Sequence, residues 1–139
     1  MLFPFCSEHL EQKRWPYYDQ LIKLIKQNHP NLKIAIAPGP GEIEKAKELD
    51  AISILSEDKA ISISELAGLI KRSKFVVAND TGPAHMAAHL NVKGLSLFGS
   101  HTTAHKVSIE RENFKAIQAP ELSKLSAEKV FERLSEIIS

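Results

Sequence analysis

The sequence has few cysteines, little net charge and no long apolar run. Cys6 is the only cysteine among 139 residues, which excludes an intrachain disulfide framework and a zinc site built from several cysteines. The 18 Lys and Arg residues are balanced by 17 Asp and Glu residues, whereas a nucleic-acid-binding protein normally carries a basic surface. No apolar run approaches the ~20 residues that span a membrane, and the opening residues lack the basic segment of a signal peptide. We therefore expect one soluble, unexported domain over residues 1–139 with no nucleic-acid partner.

Short apolar runs alternate with amphipathic helical patterns along the chain, which is typical of a parallel sheet covered by helices. The strand candidates are 2–5, 32–37, 51–55, 75–79, 94–98 and 114–118. Helices are predicted to begin near Pro16, Glu42, Ser64, Pro83 and Ser126, with Ser64 and Ser126 as N-caps. Several strand candidates are apolar on both faces, as the interior strands of such a sheet are. The sequence therefore predicts an α/β domain with a parallel sheet of about six strands and helices on both faces.

Residues 75–90 form a buried strand that runs into a polar turn and then a helix. Pro83 suits the first helical position and makes Gly82 the expected N-cap. The backbone amides expected to be unbonded there are those of Thr81, Gly82, Ala84 and His85. A helix terminus of this kind binds anions such as phosphate, and the Asp80 carboxylate could accept hydrogen bonds from the hydroxyls of an attached sugar. The alternative is that the polar residues 79–81 only cap a helix.

Two connections are longer than usual for an α/β unit, from Cys6 to Trp15 and from Gly99 to Asn113, and long loops in a compact domain tend to carry function. Lys13 on the first connection could reach a pyrophosphate as a mobile point charge, while Trp15 anchors the segment through a buried indole. The alternative is a hydrophobic staple beside two solvated cations.

The run Pro38-Gly39-Pro40-Gly41-Glu42 follows the second strand and opens a helix. Its glycines resemble the start of a dinucleotide fingerprint, but Glu44 occupies the third glycine position, so a nicotinamide site is not expected. A tight turn here could place the carboxylate of Glu42 or Glu44 near a ribose diol. The alternative is a carboxylate that only stabilises the start of the helix.

Four histidines stand at i, i+4 spacing, His85 with His89 and His101 with His105, which raises a metal site as a hypothesis. The helical zinc pattern needs Glu directly after its first His, and Met86 stands there instead. We therefore expect no metal, a phosphate or sugar contact for His85, and surface positions for the other three. The sequence contains no nucleophile-elbow motif and no P-loop, and we find no self-contained catalytic pair in it.

Taken in order, these motifs resemble the carboxyl-terminal half of the ADP-heptose:lipopolysaccharide heptosyltransferases, glycosyltransferase family 9. The resemblance runs from the first strand to the last helix, and its most specific stretch is Asn79-Asp80-Thr81-Gly82-Pro83-Ala84-His85. It implies a Rossmann-like domain that forms the C-terminal half of a GT-B fold and binds the nucleotide-sugar donor, ADP-heptose. It also implies inverting transfer that needs no metal and no other cofactor.

The resemblance also marks candidate donor-binding residues in this chain. They are Lys13, Glu42, Glu44, Asp80, Thr81, Gly82 and His85. The lysine matches the contact to the donor phosphates, and the threonine and glycine match the phosphate-binding turn. The aspartate matches the heptose contact, the histidine belongs to the same motif, and one of the two glutamates is similar to the ribose ligand.

Two departures from the family pattern affect these expectations. After Leu97-Phe98-Gly99 the family usually continues Pro-Thr-Asp-Pro, whereas this chain reads Ser100-His101-Thr102-Thr103. The amino-terminal domain, which holds the acceptor site and the general base, does not fit within 139 residues. The chain would then be a fragment, an isolated donor domain or the product of a truncated or split gene.

The resemblance therefore implies a donor-binding domain that is inactive alone and serves the lipopolysaccharide core acceptor only together with an amino-terminal domain. No residue of this chain is then predicted to be catalytic. We expect the protein in the cytoplasm or peripheral to the inner membrane of a Gram-negative bacterium, with weak self-association through the uncovered cleft face. The alternative is a non-catalytic remnant or interaction module that has kept the fold and lost the ligand.

Overall fold

The computed structural model describes residues 1–5, 14–99 and 109–138. Six strands of this part of the chain form one sheet in the order β3-β2-β1-β4-β5-β6, and every neighbouring pair is parallel. The strands are β1 (Leu2–Phe3), β2 (Ala35–Ile36), β3 (Ile52–Ser53), β4 (Val76–Asn79), β5 (Gly94–Phe98) and β6 (Phe114–Gln118). The predicted parallel sheet is confirmed, and its first three strands are shorter than the apolar runs that predicted them.

Helices cover both faces of the sheet, as predicted. They are α1 (Tyr18–Asn28), α2 (Ile43–Ala46), α3 (Ile63–Arg72), α4 (Gly82–His89) and α5 (Ala127–Ile138), with a short 3₁₀ helix at Leu122–Lys124. The buried side chains of α1 and α5 belong to one core cluster, and those of α3 and α4 belong to the other. None of the helices in the described residues is long and apolar enough to cross a membrane.

The central strands supply both core clusters, which explains why their sequences do not alternate between apolar and polar. In β4, Val77 packs into the cluster under α1 and α5, whereas Val76 and Ala78 pack into the cluster under α3 and α4. In β5, Leu95 and Leu97 join the first of these clusters. Side chains on both faces of such a strand are buried, as in other parallel sheets covered by helices.

The predicted cap of α3 is wrong by two residues. Ser62, rather than Ser64, is the N-cap: its Oγ accepts a hydrogen bond from the Glu65 amide at 3.1 Å. The Glu65 carboxylate in turn accepts a hydrogen bond from the Ser62 amide at 3.0 Å, and this bond, followed by the contribution of the Ser62 hydroxyl, lowers the pKa of Glu65. A capping box requires two residues between its members, and Ser62 stands at that distance from Glu65 whereas Ser64 does not. The other predicted cap is confirmed, since Ser126 Oγ accepts from the Lys129 amide at 3.2 Å.

Candidate functional site

A cleft of about 560 Å³ opens at the carboxyl ends of β1, β2 and β4. It is lined by residues 3–5, 36–40, 60–61 and 80–83, together with Glu42 and Leu66. The strands β1 and β4 are neighbours in the sheet but not in the chain, and the helices that follow them, α1 and α4, pack on opposite faces. The cleft therefore lies at the topological switch point of the sheet, where open α/β sheets bind their ligands.

The helix α4 begins at the floor of this cleft, one residue earlier than predicted. Thr81, rather than Gly82, is the N-cap, with an extended backbone (φ −145°, ψ 173°), and Pro83 is the second helical residue. The Thr81 carbonyl accepts a hydrogen bond from the His85 amide at 3.3 Å. That bond starts the helix at Thr81 and also corrects the expectation that the His85 amide is unbonded.

The side chain of the N-cap residue, Thr81, does not cap the first turn of α4. The Thr81 hydroxyl makes no capping bond and instead donates to the Asn79 carbonyl at 3.3 Å. Among the described residues, the amides of Gly82 and Ala84 have no hydrogen-bond acceptor. A Cβ placed on Gly82 would meet no atom within 4 Å, so open space lies in front of these amides. The positive end of the helix dipole and the two amides together suit an anion.

Asp80 and His85 stand beside these amides. The Asp80 side chain lines the cleft and is only 5% exposed, and its Oδ1 lies 3.7 Å from Nε2 of the half-exposed His85. A carboxylate in this position repels a phosphate and accepts hydrogen bonds from hydroxyl groups. The arrangement therefore favours a ligand that has both an anionic and a hydroxylated part.

The structure separates the two glutamates between which the sequence could not choose. Glu42 lines the cleft, and its Oε1 accepts a hydrogen bond from the Gly39 amide at 2.8 Å. A Cβ on Gly39 would lie 3.2 Å from this oxygen, so the glycine allows the carboxylate to approach the turn. Glu44 lies outside the cleft with an 87% exposed side chain, and it pairs with Lys47 at 3.1 Å.

Trp15 is anchored as predicted. Its indole is 1% exposed and Nε1 donates to the Leu125 carbonyl at 2.7 Å. The next described residue toward the amino terminus is Arg14, whose guanidinium lies 5.2 Å from the centre of the Phe5 ring, a wall of the cleft. Lys13 itself, and the predicted surface residues His101 and His105, lie outside the described residues.

Sequence reasoning assigned no separate role to Asn79. This residue ends β4 and is fully buried. Its carboxamide forms hydrogen bonds with Trp15 and Tyr18 at the start of α1 and with Pro4, directly after β1. The available signal in the sequence was an amide side chain at the end of the apolar run 75–78.

His89 is exposed on α4, as expected. The part of the chain that the structure describes contains no group of three or more metal-ligating side chains.

Residues 1–134 match the family model of glycosyltransferase family 9 (heptosyltransferase). The chain is 33% identical over 100 residues to lipopolysaccharide heptosyltransferase 1 of Campylobacter coli. This aligned segment covers 66% of the present chain and 29% of the Campylobacter coli protein. It is 31% identical over 133 residues to the enzyme of the same name from Salmonella typhimurium, covering 89% of this chain and 40% of that protein.

A solved structure is similar over nearly the whole chain. The structure of Escherichia coli heptosyltransferase WaaC with ADP-2-deoxy-2-fluoro heptose superposes with a TM-score of 0.80 at 26% identity. The match covers 97% of this chain and 42% of WaaC. The present chain thus spans less than half the length of the proteins it matches.

Proposed function

This chain belongs to glycosyltransferase family 9, and on that basis we propose that it is the donor-binding domain of a heptosyltransferase. In this proposal the domain holds ADP-heptose while the heptose passes to the inner core of lipopolysaccharide. The acceptor site and the general base come from a partner domain that corresponds to the rest of the matched enzymes. Support comes from the family match and from the similar structure of Escherichia coli WaaC with ADP-2-deoxy-2-fluoro heptose.

The observation that carries the proposal is the uncapped start of α4 at the switch point of the sheet. The amides of Gly82 and Ala84 receive the diphosphate, and the Lys13 ammonium neutralises it as a second positive group. Asp80 accepts hydrogen bonds from the heptose hydroxyls. Glu42 is preferred to Glu44 as the ribose ligand because only Glu42 lines the cleft.

This arrangement would assist the reaction by stabilising the leaving group. A base on the partner domain takes the proton of the acceptor hydroxyl, and the resulting oxygen attacks the anomeric carbon of the heptose. The bond between that carbon and the phosphate oxygen breaks with inversion, and ADP leaves with added negative charge on its terminal phosphate. Fixed backbone amides and a lysine lower the energy of that charge more than they lower the energy of the bound donor.

The size of the cleft is consistent with the ligand. Its volume of about 560 Å³ lies within the ~300–1,000 Å³ typical of small-molecule sites. The walls combine apolar side chains such as Phe3 and Leu66 with a few polar groups, which is the usual composition of a small-molecule site.

Calorimetric titration of ADP into the isolated chain tests the proposal. We expect the wild type to bind, and Lys13→Ala to bind about tenfold more weakly, the loss expected for one charge-assisted hydrogen bond. Lys71→Ala is the matched control, because it removes an equal charge from the exposed end of α3 and should bind like the wild type. Absence of wild-type binding, or identical isotherms for all variants, would favour the non-catalytic remnant instead.

A further inference from the structure

The side chain of Asn79 connects three parts of the chain that surround the candidate site. Its Oδ1 accepts hydrogen bonds from the Trp15 amide and from the Tyr18 hydroxyl, both at 3.2 Å. Its Nδ2 donates to the Pro4 carbonyl at 2.9 Å. The carboxamide is therefore bonded at both ends in a site that excludes solvent.

One of the three partners lines the cleft, and the other two lie behind it at the start of α1. Pro4 lies directly after β1 and lines the cleft itself. Trp15 and Tyr18 fix the start of α1, and their rings pack edge-on with centroids 5.0 Å apart. Asn79 directly precedes the turn of Asp80 and Thr81 that leads into α4. One side chain thus ties the turn that leads into α4 to the part of the cleft wall formed by Pro4 and to the segment that follows residue 13.

We propose that Asn79 is a positioning residue for the donor site: it fixes the first turn of α4 relative to Pro4, the cleft-lining residue after β1, at the separation that a diphosphate requires. The inference rests on the proposed function, and it adds a residue that touches no ligand. Asn79 points away from the cleft toward α1, and Asn79 is not among the residues that line the cleft.

A primary amide meets the hydrogen-bonding requirements of this position. The Trp15 amide and the Tyr18 hydroxyl donate to it, and the Pro4 carbonyl accepts from it; the Tyr18 hydroxyl also lies 3.4 Å from the Phe3 carbonyl. Aspartate offers no donor to the carbonyl and would bury a charge, and leucine offers neither group. A buried group that loses its partner shifts until it finds another one or reaches water, and this shift would change the separation of the two walls.

The test compares ADP binding by calorimetry with the exchange of individual backbone amides in folded variants. Asn79→Leu removes all three bonds of the carboxamide at similar volume. Tyr18→Phe removes the hydroxyl that bonds to Asn79 and to the Phe3 carbonyl but keeps the ring. Val130→Ala is the control: it opens a fully buried site in α5, away from the cleft, and should lower thermal stability without changing ADP affinity.

We expect Asn79→Leu to weaken ADP binding about tenfold and Tyr18→Phe about threefold, with faster exchange of the Trp15 amide in Asn79→Leu. The double variant should bind about as weakly as Asn79→Leu alone, because the bond between the Tyr18 hydroxyl and Asn79 is already lost and only the longer bond to the Phe3 carbonyl is left to remove. A purely structural role would lower stability and leave the affinity of the folded protein unchanged.

The outcomes distinguish this inference from the proposed function. If the wild type binds ADP and both Asn79→Leu and Tyr18→Phe bind equally well, the positioning role is wrong and the donor site stands. If the wild type itself does not bind ADP, the donor site is wrong and the positioning role falls with it. Should Asn79→Leu fail to fold, the affinity of Tyr18→Phe relative to Val130→Ala decides alone.

Discussion

Replacing Gly82 by alanine should make the folded domain more stable but weaken its binding of ADP. At Gly82 the structure predicts effects of opposite sign on stability and on ADP affinity. The residue is exposed, its φ lies outside the left-handed region, and a Cβ would meet no atom within 4 Å. Nothing in the folded domain therefore requires glycine at this position.

The magnitudes follow from the backbone and from the open space. Alanine restricts the unfolded chain more than glycine does, so Gly82→Ala should raise the free energy of unfolding by about 0.4–1 kcal/mol and Tm by about 1–3 °C. The added methyl group occupies the space in which a phosphate would approach the Gly82 and Ala84 amides. Loss of one hydrogen bond to a charged group, about 1.5–3 kcal/mol, should weaken ADP binding by about ten- to a hundredfold.

Thermal unfolding and calorimetric titration of the same preparation measure both effects. Gly68→Ala is the matched control, since Gly68 lies in the middle of α3 and a Cβ there also meets no atom within 4 Å. This control should gain about 1 kcal/mol of stability and bind ADP like the wild type. The reasoning is refuted if Gly82→Ala binds ADP as tightly as the wild type, or if it loses stability.

Three further predictions concern folding. Ser62→Ala should lower the free energy of unfolding by about 1 kcal/mol in urea titrations, whereas Ser64→Ala should change it little; equal losses would contradict the assigned cap. Gly94→Ala should lower the free energy of unfolding by about 3 kcal/mol or more in the same assay, because a Cβ there would lie 2.5 Å from the Val76 carbonyl oxygen. An unchanged free energy of unfolding would show that β4 and β5 can move apart to admit the methyl group. Burial lowers the pKa of the Met1 amino group from 8.0 to about 6, so the folded state binds this proton less strongly and the unfolding free energy should rise by roughly 2–3 kcal/mol between pH 6 and pH 8. A chain acetylated at its amino terminus should lose that rise, and an unchanged pH profile after acetylation would contradict it.

The strands and helices could be predicted from the sequence because each apolar run or amphipathic stripe lies within one short segment of the chain. The strands β4 and β5 are continuous apolar runs, and buried residues on both of their faces explain the pattern. The start of α4 was predictable to within one residue from Pro83. The exact cap was not, because threonine and glycine both suit that position, and the bond from the His85 amide to Thr81 decides between them.

The interior of the site could not be predicted, because its contacts join distant parts of the sequence. Asn79 lies 61 residues from Tyr18 and 75 from Pro4, and only the parallel pairing of β1 with β4 brings these residues together. The choice between Glu42 and Glu44 likewise depends on the turn at Gly39, whose amide holds the Glu42 carboxylate at the cleft.

A titration of the isotopically labelled chain with ADP, followed by amide NMR, tests the central claim most directly. We predict that the largest shifts of amide resonances on adding ADP occur at Gly82 and Ala84, and that adenosine, which lacks phosphates, leaves both resonances nearly unchanged. Shifts centred on another surface, or equal shifts with adenosine, would contradict a diphosphate site at the start of α4.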